Sequence, residues 1–323
     1  MLDRVLVTGG TGSFGRAFVE SLLKLNLAKE IIIYSRDELK QFEMQARIDS
    51  ENVKFMIGDV RDFERVREAM VGIDTVVHAA AMKQIPASEN NPMEAIKTNV
   101  FGAENIVKAS IAFGVKQVIA LSTDKAANPA NLYGATKLCS DKLIIAGNSA
   151  SKNSVTKFSV VRYGNVLGSR GSVIPFFKEQ SKLGVIPITD LSMTRFWLTI
   201  EDGVEFVLKS FERMQGGEIF IPKIPSFKVI DVAKVIAPDI KIEIIGIRPG
   251  EKLHEVMITE DDSINTVEFD RYFAILSPSL KKSDYYKKNG KPVKLGFRFT
   301  SDSNQEWHTH DSFKSILIKN HLL

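Results

Sequence analysis

Residues 5–18 read VLVTGGTGSFGRAF: a short apolar run, then Gly9, Gly12 and Gly15, then residues with helical spacing. Glycine lets a chain turn tightly and lets an anion approach the backbone. A helix N-terminus behind such a turn offers unpaired N–H groups and a partial positive charge. A glycine triplet alone is weak evidence, but the strand before it and the helix after it supply the context that a dinucleotide phosphate site requires. Gly9, Thr11, Gly12, Ser13, Phe14 and Gly15 are therefore the expected cradle.

Outward from this loop the pattern repeats. EIIIYS, VKFMIGD, TVVHAA and QVIALS are short runs rich in Val and Ile and read as buried parallel strands. Between them ELKQFEMQARI, FERVREAMV, MEAIKTNVFGAENIVKASIAF and YGATKLCSDKLIIAG have helical spacing. Such alternation predicts an α/β fold, a Rossmann-type doubly wound parallel sheet with ligands beyond the carboxyl ends of its strands. After KFSVVRYGNVLG the pattern loosens, which predicts a smaller, interleaved C-terminal substrate lobe. The expected bounds are 1–165 for the dinucleotide domain, with 195–225 returning to it, and 166–194 plus 226–323 for the lobe. LKKSDYYKKNGKP reads as an exposed loop, and WHTH, with His308 and His310, as a solvated tail.

Cofactor choice is decided at the end of the second strand, where an acid would hold the ribose 2′-hydroxyl of NAD. This chain has Ser35 and Arg36 there and Lys40 one helical turn onward. A 2′-phosphate would meet a hydroxyl and two cations, so NADP is the expected cofactor. The competing reading makes Ser35 a helix cap and Asp37 the ribose ligand. GDVRD puts Asp59 and Val60 at the adenine edge, and HAAAMK puts Ala79, Ala80 and Ala81 where small side chains leave room for the cofactor.

Composition narrows the classes further. The chain has 323 residues and a net charge of +4 from 43 basic and 39 acidic residues. That mild excess fits a positively lined pocket for a small anion, and no basic run with interleaved aromatics points to nucleic acid. No stretch reaches the ~18 apolar residues of a membrane span, and RVLVTGG opens the chain without a signal peptide, so a cytoplasmic protein is expected. The single Cys139 excludes an internal disulfide, and the five histidines show no metal-ligand spacing, so no metal is expected.

STDKAANPANLYGATK, residues 122–137, gathers Asp124, Lys125, Tyr133 and Lys137 within fourteen positions. An isolated Tyr-x-x-x-Lys is more often a charged helix surface. Together with the glycine loop, GDVRD, HAAAMK, STDKA, RYGNVLGSRGSV, TRFW and GIRPGEKLHE, however, it resembles the extended short-chain dehydrogenase/reductase family. Within that family the chain resembles the inverting UDP-N-acetylglucosamine 4,6-dehydratases of pseudaminic acid biosynthesis, from about residue 4 to about 260.

The resemblance implies roles. Tyr133 removes the sugar O4 proton, and Lys137, four positions on and on the same helix face, lowers the phenol and holds the nicotinamide ribose. Lys125 is the C5 base, its amine lowered by desolvation and the cationic cofactor, and Asp124 is the acid at the C6 oxygen. Retaining relatives carry glutamate where this chain has Lys125. Lys83, Ser122 and Val166 are implied in cofactor binding. Lys83, Thr123, Asn165, Gly171, Ser172, Val173, Arg195, Arg248 and Glu251 are implied in holding UDP-N-acetylglucosamine, the GSRGSV loop closing over the sugar. Gln84 departs from the histidine usual in that group. A homo-oligomer is implied by analogy. A UDP-sugar epimerase on the same scaffold and a non-catalytic NADP-binding regulator stay open as alternatives.

Overall fold

The computed structural model describes residues 2–150, 155–168 and 172–323. Six strands carry the repeating half of the chain: β1 (Leu2–Thr8), β2 (Ala28–Ser35), β3 (Val53–Ile57), β4 (Thr75–His78), β5 (Gln117–Thr123) and β6 (Lys157–Tyr163). They pair in parallel in the order β3-β2-β1-β4-β5-β6, with Val5 opposite Ile31 on one side and Thr75 on the other. This is the doubly wound order that opens a crevice where its direction reverses, between β1 and β4. The central strands are apolar on both faces because helices cover both: Val5, Val7, Ile31, Ile33, Val76, Val77, Val118 and Ile119 are all fully buried. Helix α1 (Ser13–Lys24) presents Phe18, Val19 and Leu22 to this core, each burial worth about 1.5–3 kcal/mol.

The sheet continues beyond β6 to ten strands. Glu218–Pro222 adds in parallel to β6, and Tyr272–Leu276, Thr266–Glu268 and Lys291–Pro292 follow antiparallel. The boundary expected at 226 is therefore corrected: three strands from the last sixty residues belong to the main sheet. The reading of LKKSDYYKKNGKP as an exposed loop is corrected too. Asp284–Asn289 is helical, and Tyr286 is 2% exposed with its hydroxyl donating to Glu218.

The lobe is built around a second core. Ser226–Lys228, Thr194–Leu198 and Asn165–Val166 form a three-stranded sheet, and Val185–Ile188 pairs in parallel with Lys241–Ile244. Thr194–Leu198, expected to return to the first domain, thus pairs within the lobe. Phe313 from the helix His310–Lys319 stacks on Phe227 at 4.1 Å and meets Trp197 edge-on at 5.6 Å. His308 also lies against Phe227, while Trp307, Thr309 and His310 are exposed, so of the WHTH stretch His308 packs on the lobe and the rest faces solvent.

Candidate active site

Between sheet and lobe lies a cleft of about 1750 Å³, well above the ~300–1,000 Å³ of a single small-ligand pocket and roomy enough for two nucleotides. Its floor is the carboxyl end of the parallel strands. Gly9 sits at φ +66°, and a side chain there would meet the Ala80 nitrogen at 2.8 Å, so the β1 turn runs directly against the backbone after β4. Gly12 caps α1 without a side-chain hydrogen bond, which leaves the first N–H groups of the helix facing the cleft. Thr11, Ser13, Phe14 and Gly15 complete this wall. The uncapped helix end and the bare backbone fit a pyrophosphate.

At the end of β2, Ser35, Arg36 and Lys40 all line the cleft. Ser35 does not cap the following helix: Asp37 does, accepting from the Lys40 nitrogen at 3.0 Å, while the Ser35 hydroxyl accepts from Gln41. Lys40 pairs with Asp37, and Arg36 lies exposed, 3.8 Å from Asp59. Asp59, held low against its burial by Arg61, and Val60 form the next stretch of wall. Ala79, Ala80, Ala81 and Lys83 follow. Lys83, Gln84 and the loop around them are anchored by a residue that sequence reading missed. Asn99 lies in the π-turn Lys97–Phe101; its Oδ1 accepts from the Met82 nitrogen at 2.8 Å and its Nδ2 donates to the Met82 carbonyl at 2.9 Å and to Thr136 Oγ1 at 3.0 Å. A π-turn marks functional sites often enough to be a signal, but nothing in NVFG reveals it beforehand.

The proton-moving cluster stands at the end of β5. Thr123 ends the strand, Asp124–Ala126 makes one 3₁₀ turn, and the helix Leu132–Ala150 carries Tyr133 and Lys137 on one face. The Asn131 side chain accepts from the Gly134 nitrogen at 2.8 Å and so caps that helix, while its amide donates to the Gly250 carbonyl of the lobe. Gly134 is required by contact, since a Cβ there would lie 2.2 Å from the Lys125 carbonyl. Ser122, Thr123, Lys125, Tyr133 and Lys137 all line the cleft.

Asp124 does not line it. Its carboxylate is 0% exposed, accepting from Thr123 Oγ1 at 2.9 Å and from Lys125 Nζ at 3.0 Å, so it lies beneath the two groups that face the cleft. The expectation of an acid in direct reach of the sugar is corrected on this point. Burial, and then the charge of Glu255, push the Asp124 carboxyl up.

Lys125 also differs from expectation. Burial pulls its amine down, but Asp124 and Glu255 outweigh burial and hold it above the ordinary lysine value, as an ammonium. For Tyr133 burial wins: the phenol is pushed up to about 12, against the pull of Lys125 and a hydrogen bond with Thr123. The protein's own groups therefore do not favour the phenolate. Burial lowers Lys137, and Asp141, one turn further along the helix, opposes it.

Glu255 is the second residue missed. It is 1% exposed, with Oε1 3.2 Å from Lys125 Nζ and 3.7 Å from Arg195 Nε, and Oε2 3.8 Å from Lys252 Nζ. The acid stands in plain sight in RPGEKLHE, but only the fold shows that this end of the motif points at Lys125.

The remaining expected residues form the lobe side. Val166, Asn165, Ser172, Val173, Arg195, Arg248 and Glu251 line the cleft; Gly171 lies outside the described residues. Asn165 Oδ1 and Ser172 Oγ are buried without a partner, open to a polar ligand. Among the described residues no group of three or more metal-binding side chains occurs, and no helix is long and apolar enough to cross a membrane.

A strand order of this kind, a glycine turn at β1 and a Tyr-x-x-x-Lys helix after β5 define a Rossmann-type protein of the short-chain dehydrogenase/reductase kind. Residues 5–277 match the family described as "Polysaccharide biosynthesis protein", and the chain belongs to that family. It is 55% identical, over 97% of its length and 96% of the relative's, to the UDP-N-acetylglucosamine 4,6-dehydratase (inverting) of Campylobacter jejuni subsp. jejuni serotype O:23/36 (strain 81-176). It is 42% identical, over 98% of its length and 96% of the relative's, to the UDP-glucose 4-epimerase of Rickettsia canadensis (strain McKiel). Among solved structures it resembles Pen from Bacillus thuringiensis, with a TM-score of 0.91 and 38% identity over 99% of this chain and 98% of that one.

Proposed function

We propose that this chain is a UDP-N-acetylglucosamine 4,6-dehydratase that inverts C5 and works with bound NADP. Its product would be UDP-2-acetamido-2,6-dideoxy-β-L-arabino-hex-4-ulose, a precursor for pseudaminic acid biosynthesis. The observation that carries this reading is the buried Asp124 carboxylate paired with Lys125 beside Tyr133, on the floor of a glycine-walled cleft. Similarity to a named dehydratase along nearly the whole chain supports an enzyme of that type.

The wall from Gly9 to Gly15 would hold the pyrophosphate of the cofactor, Arg36 and Lys40 its 2′-phosphate, and Lys137 its nicotinamide ribose. Such a cofactor, bound in oxidised form, would supply hydride-transfer chemistry at C4 and C6 and a positive charge favouring the Tyr133 phenolate.

The side chains move the protons. Tyr133 takes the O4 proton, leaving a C4 ketone that acidifies C5. The Lys125 ammonium passes one proton across its 3.0 Å contact to Asp124, which becomes a carboxylic acid while Lys125 becomes an amine. That amine removes the C5 proton. The Asp124 proton leaves through the Thr123 hydroxyl with the C6 oxygen, as water. Lys125 then returns a proton to the opposite face of C5, and the Tyr133 proton restores the ammonium, so the charges at the end equal those at the start.

The test is incubation with UDP-N-acetylglucosamine in heavy water, read by NMR. Deuterium at C5, a methyl at C6, a C4 ketone or its hydrate and the L configuration are expected. A direct D-xylo product would overturn the inverting role of Lys125. The similarity to UDP-glucose 4-epimerases favours one second reading, in which the sugar keeps its C6 hydroxymethyl and changes only at C4.

A further inference from the structure

Lys125 does not sit on one partner but between two, and the second comes from a distant part of the chain. Asp124 is its neighbour in sequence. Glu255 is 130 positions away, ahead of the short strand Val256–Ile258, whose Met257 and Ile258 pack in the main core and whose Met257 carbonyl accepts from Arg162 of β6. Its backbone is pinned: the Glu255 nitrogen donates to Ser301 Oγ at 2.9 Å, and Ser301 Oγ shares a 2.7 Å hydrogen bond with Thr194 Oγ1. The same segment grips the catalytic turn a second time, since Lys252 Nζ donates to the Ala127 carbonyl at 2.8 Å. The carboxylate is nearly inaccessible to water, and its Oε2 has no hydrogen-bond partner. A buried carboxylate left partly unsatisfied is costly unless its charge is used.

Building on the dehydratase reading, we propose that Glu255 is the positioning residue of Lys125: it fixes the amine over the cleft and sets how tightly the Asp124–Lys125 pair holds its proton. Without Glu255 the amine would be held only by the carboxylate beneath it. With it, the ammonium is held between the turn and the segment that precedes Val256–Ile258, and the attraction of two anions opposes its early loss of a proton. The charges facing this pair are Asp124, Arg195, Lys252, Glu255 and the Tyr133 phenol. Removing the Glu255 charge leaves the cations and the phenol in place. It also makes both Asp124 and Lys125 release protons more readily, because an anion beside either group favours its protonated form. Both limbs of a bell-shaped pH profile should then move to lower pH together.

Two readouts on Glu255→Gln and Glu255→Asp test this in the full, NADP-loaded chain. The first needs no sugar: the Nζ resonance of Lys125, recorded with ¹⁵N-labelled lysine and assigned by its loss in Lys125→Arg, is followed through a pH titration. The Gln variant should lose the Lys125 proton at least about one pH unit, or tenfold in proton affinity, below the unmodified chain. The Asp variant, one methylene shorter, should fall between them. Identical titrations overturn the proposal. The second is turnover of UDP-N-acetylglucosamine, in which kcat of the Gln variant should fall roughly 30-fold or more with KM changed less than about threefold, and the pH optimum should shift downward. Unchanged kcat with an unshifted optimum overturns the proposal. If Gln at 255 prevents folding, the same measurements on Glu255→Asp decide. An unmodified chain that binds NADP without dehydrating the sugar sinks the dehydratase reading alone, because the titration still reports on Glu255.

Discussion

Two glutamates of this chain are buried to the same depth and do opposite things. Glu218, 0% exposed, uses every acceptor position it has. Its Oε1 accepts from the Gln215 nitrogen at 2.6 Å and Tyr286 hydroxyl at 2.8 Å, and its Oε2 from the Gly216 nitrogen at 3.0 Å and Ser159 hydroxyl at 2.5 Å. All four partners are uncharged, and together they tie β6, the turn into the strand Glu218–Pro222 and the helix Asp284–Asn289 to one carboxylate. Glu255 has three cations around it and one oxygen without a donor. A fully satisfied buried carboxylate is locked and specifies structure. One that faces mobile protons and keeps an acceptor open is a site where charge can be rearranged.

Substitutions can break this contrast, and the largest effect is expected at the proton-moving end. Lys125→Ala should lower turnover of UDP-N-acetylglucosamine about 10³-fold, about 4 kcal/mol of barrier, while a fluorescence titration finds NADP bound as before. Near-normal turnover in that variant would take Lys125 out of the base role and make the two glutamates equivalent. Next comes Glu218→Ala. Four donors lose their acceptor, and urea unfolding should show a loss of about 3 kcal/mol, with kcat of the folded enzyme unchanged. A change in kcat without a change in stability would reverse the assignment.

The smallest effect sharpens the contrast through its sign. Asp124 is raised, first by burial and then by Glu255, so its ionised form weighs against the folded state. That penalty is absent below the ordinary aspartate range and fully in force once pH has risen through the raised value. Asp124→Asn should therefore unfold at slightly higher urea than the natural chain at neutral pH, a gain within about 1 kcal/mol, and the difference should close as pH falls. A less stable Asn variant would mean that the Lys125 attraction dominates.

The parallel half of the fold was legible because its signals are local. Apolar runs of strand length, helical spacing and three glycines each report on their own neighbourhood, and their alternation predicts the doubly wound parallel sheet whose order β3-β2-β1-β4-β5-β6 the structure supplies. The antiparallel extension was not legible. YFAIL at Tyr272–Leu276 is as apolar as β1, but lysines, turns and a short helix flank it, and its partner Glu218–Pro222 is fifty residues back. The site divides in the same way. Tyr133 and Lys137 are readable because a helix period sets four-residue neighbours face to face. Glu255 was not readable, because its meaning lies in a contact across 130 positions. The competing reading of Ser35 as a cap fails because capping depends on where the helix starts, and the first helical turn begins after Asp37, which caps it.

Eight consecutive residues, Arg248 to Glu255, reach the cleft wall, the cap of the Tyr133 helix through the Gly250 carbonyl, the Ala127 carbonyl through Lys252, and the Lys125 ammonium through Glu255. A stretch so connected couples these positions mechanically. A substitution at Arg248 or Glu251, which line the cleft, is within seven residues of Glu255 and so bears on the contact that holds the Lys125 amine. On the proposed reading, substrate preference and reaction outcome would be coupled through this stretch, and swapping it between relatives should change both at once.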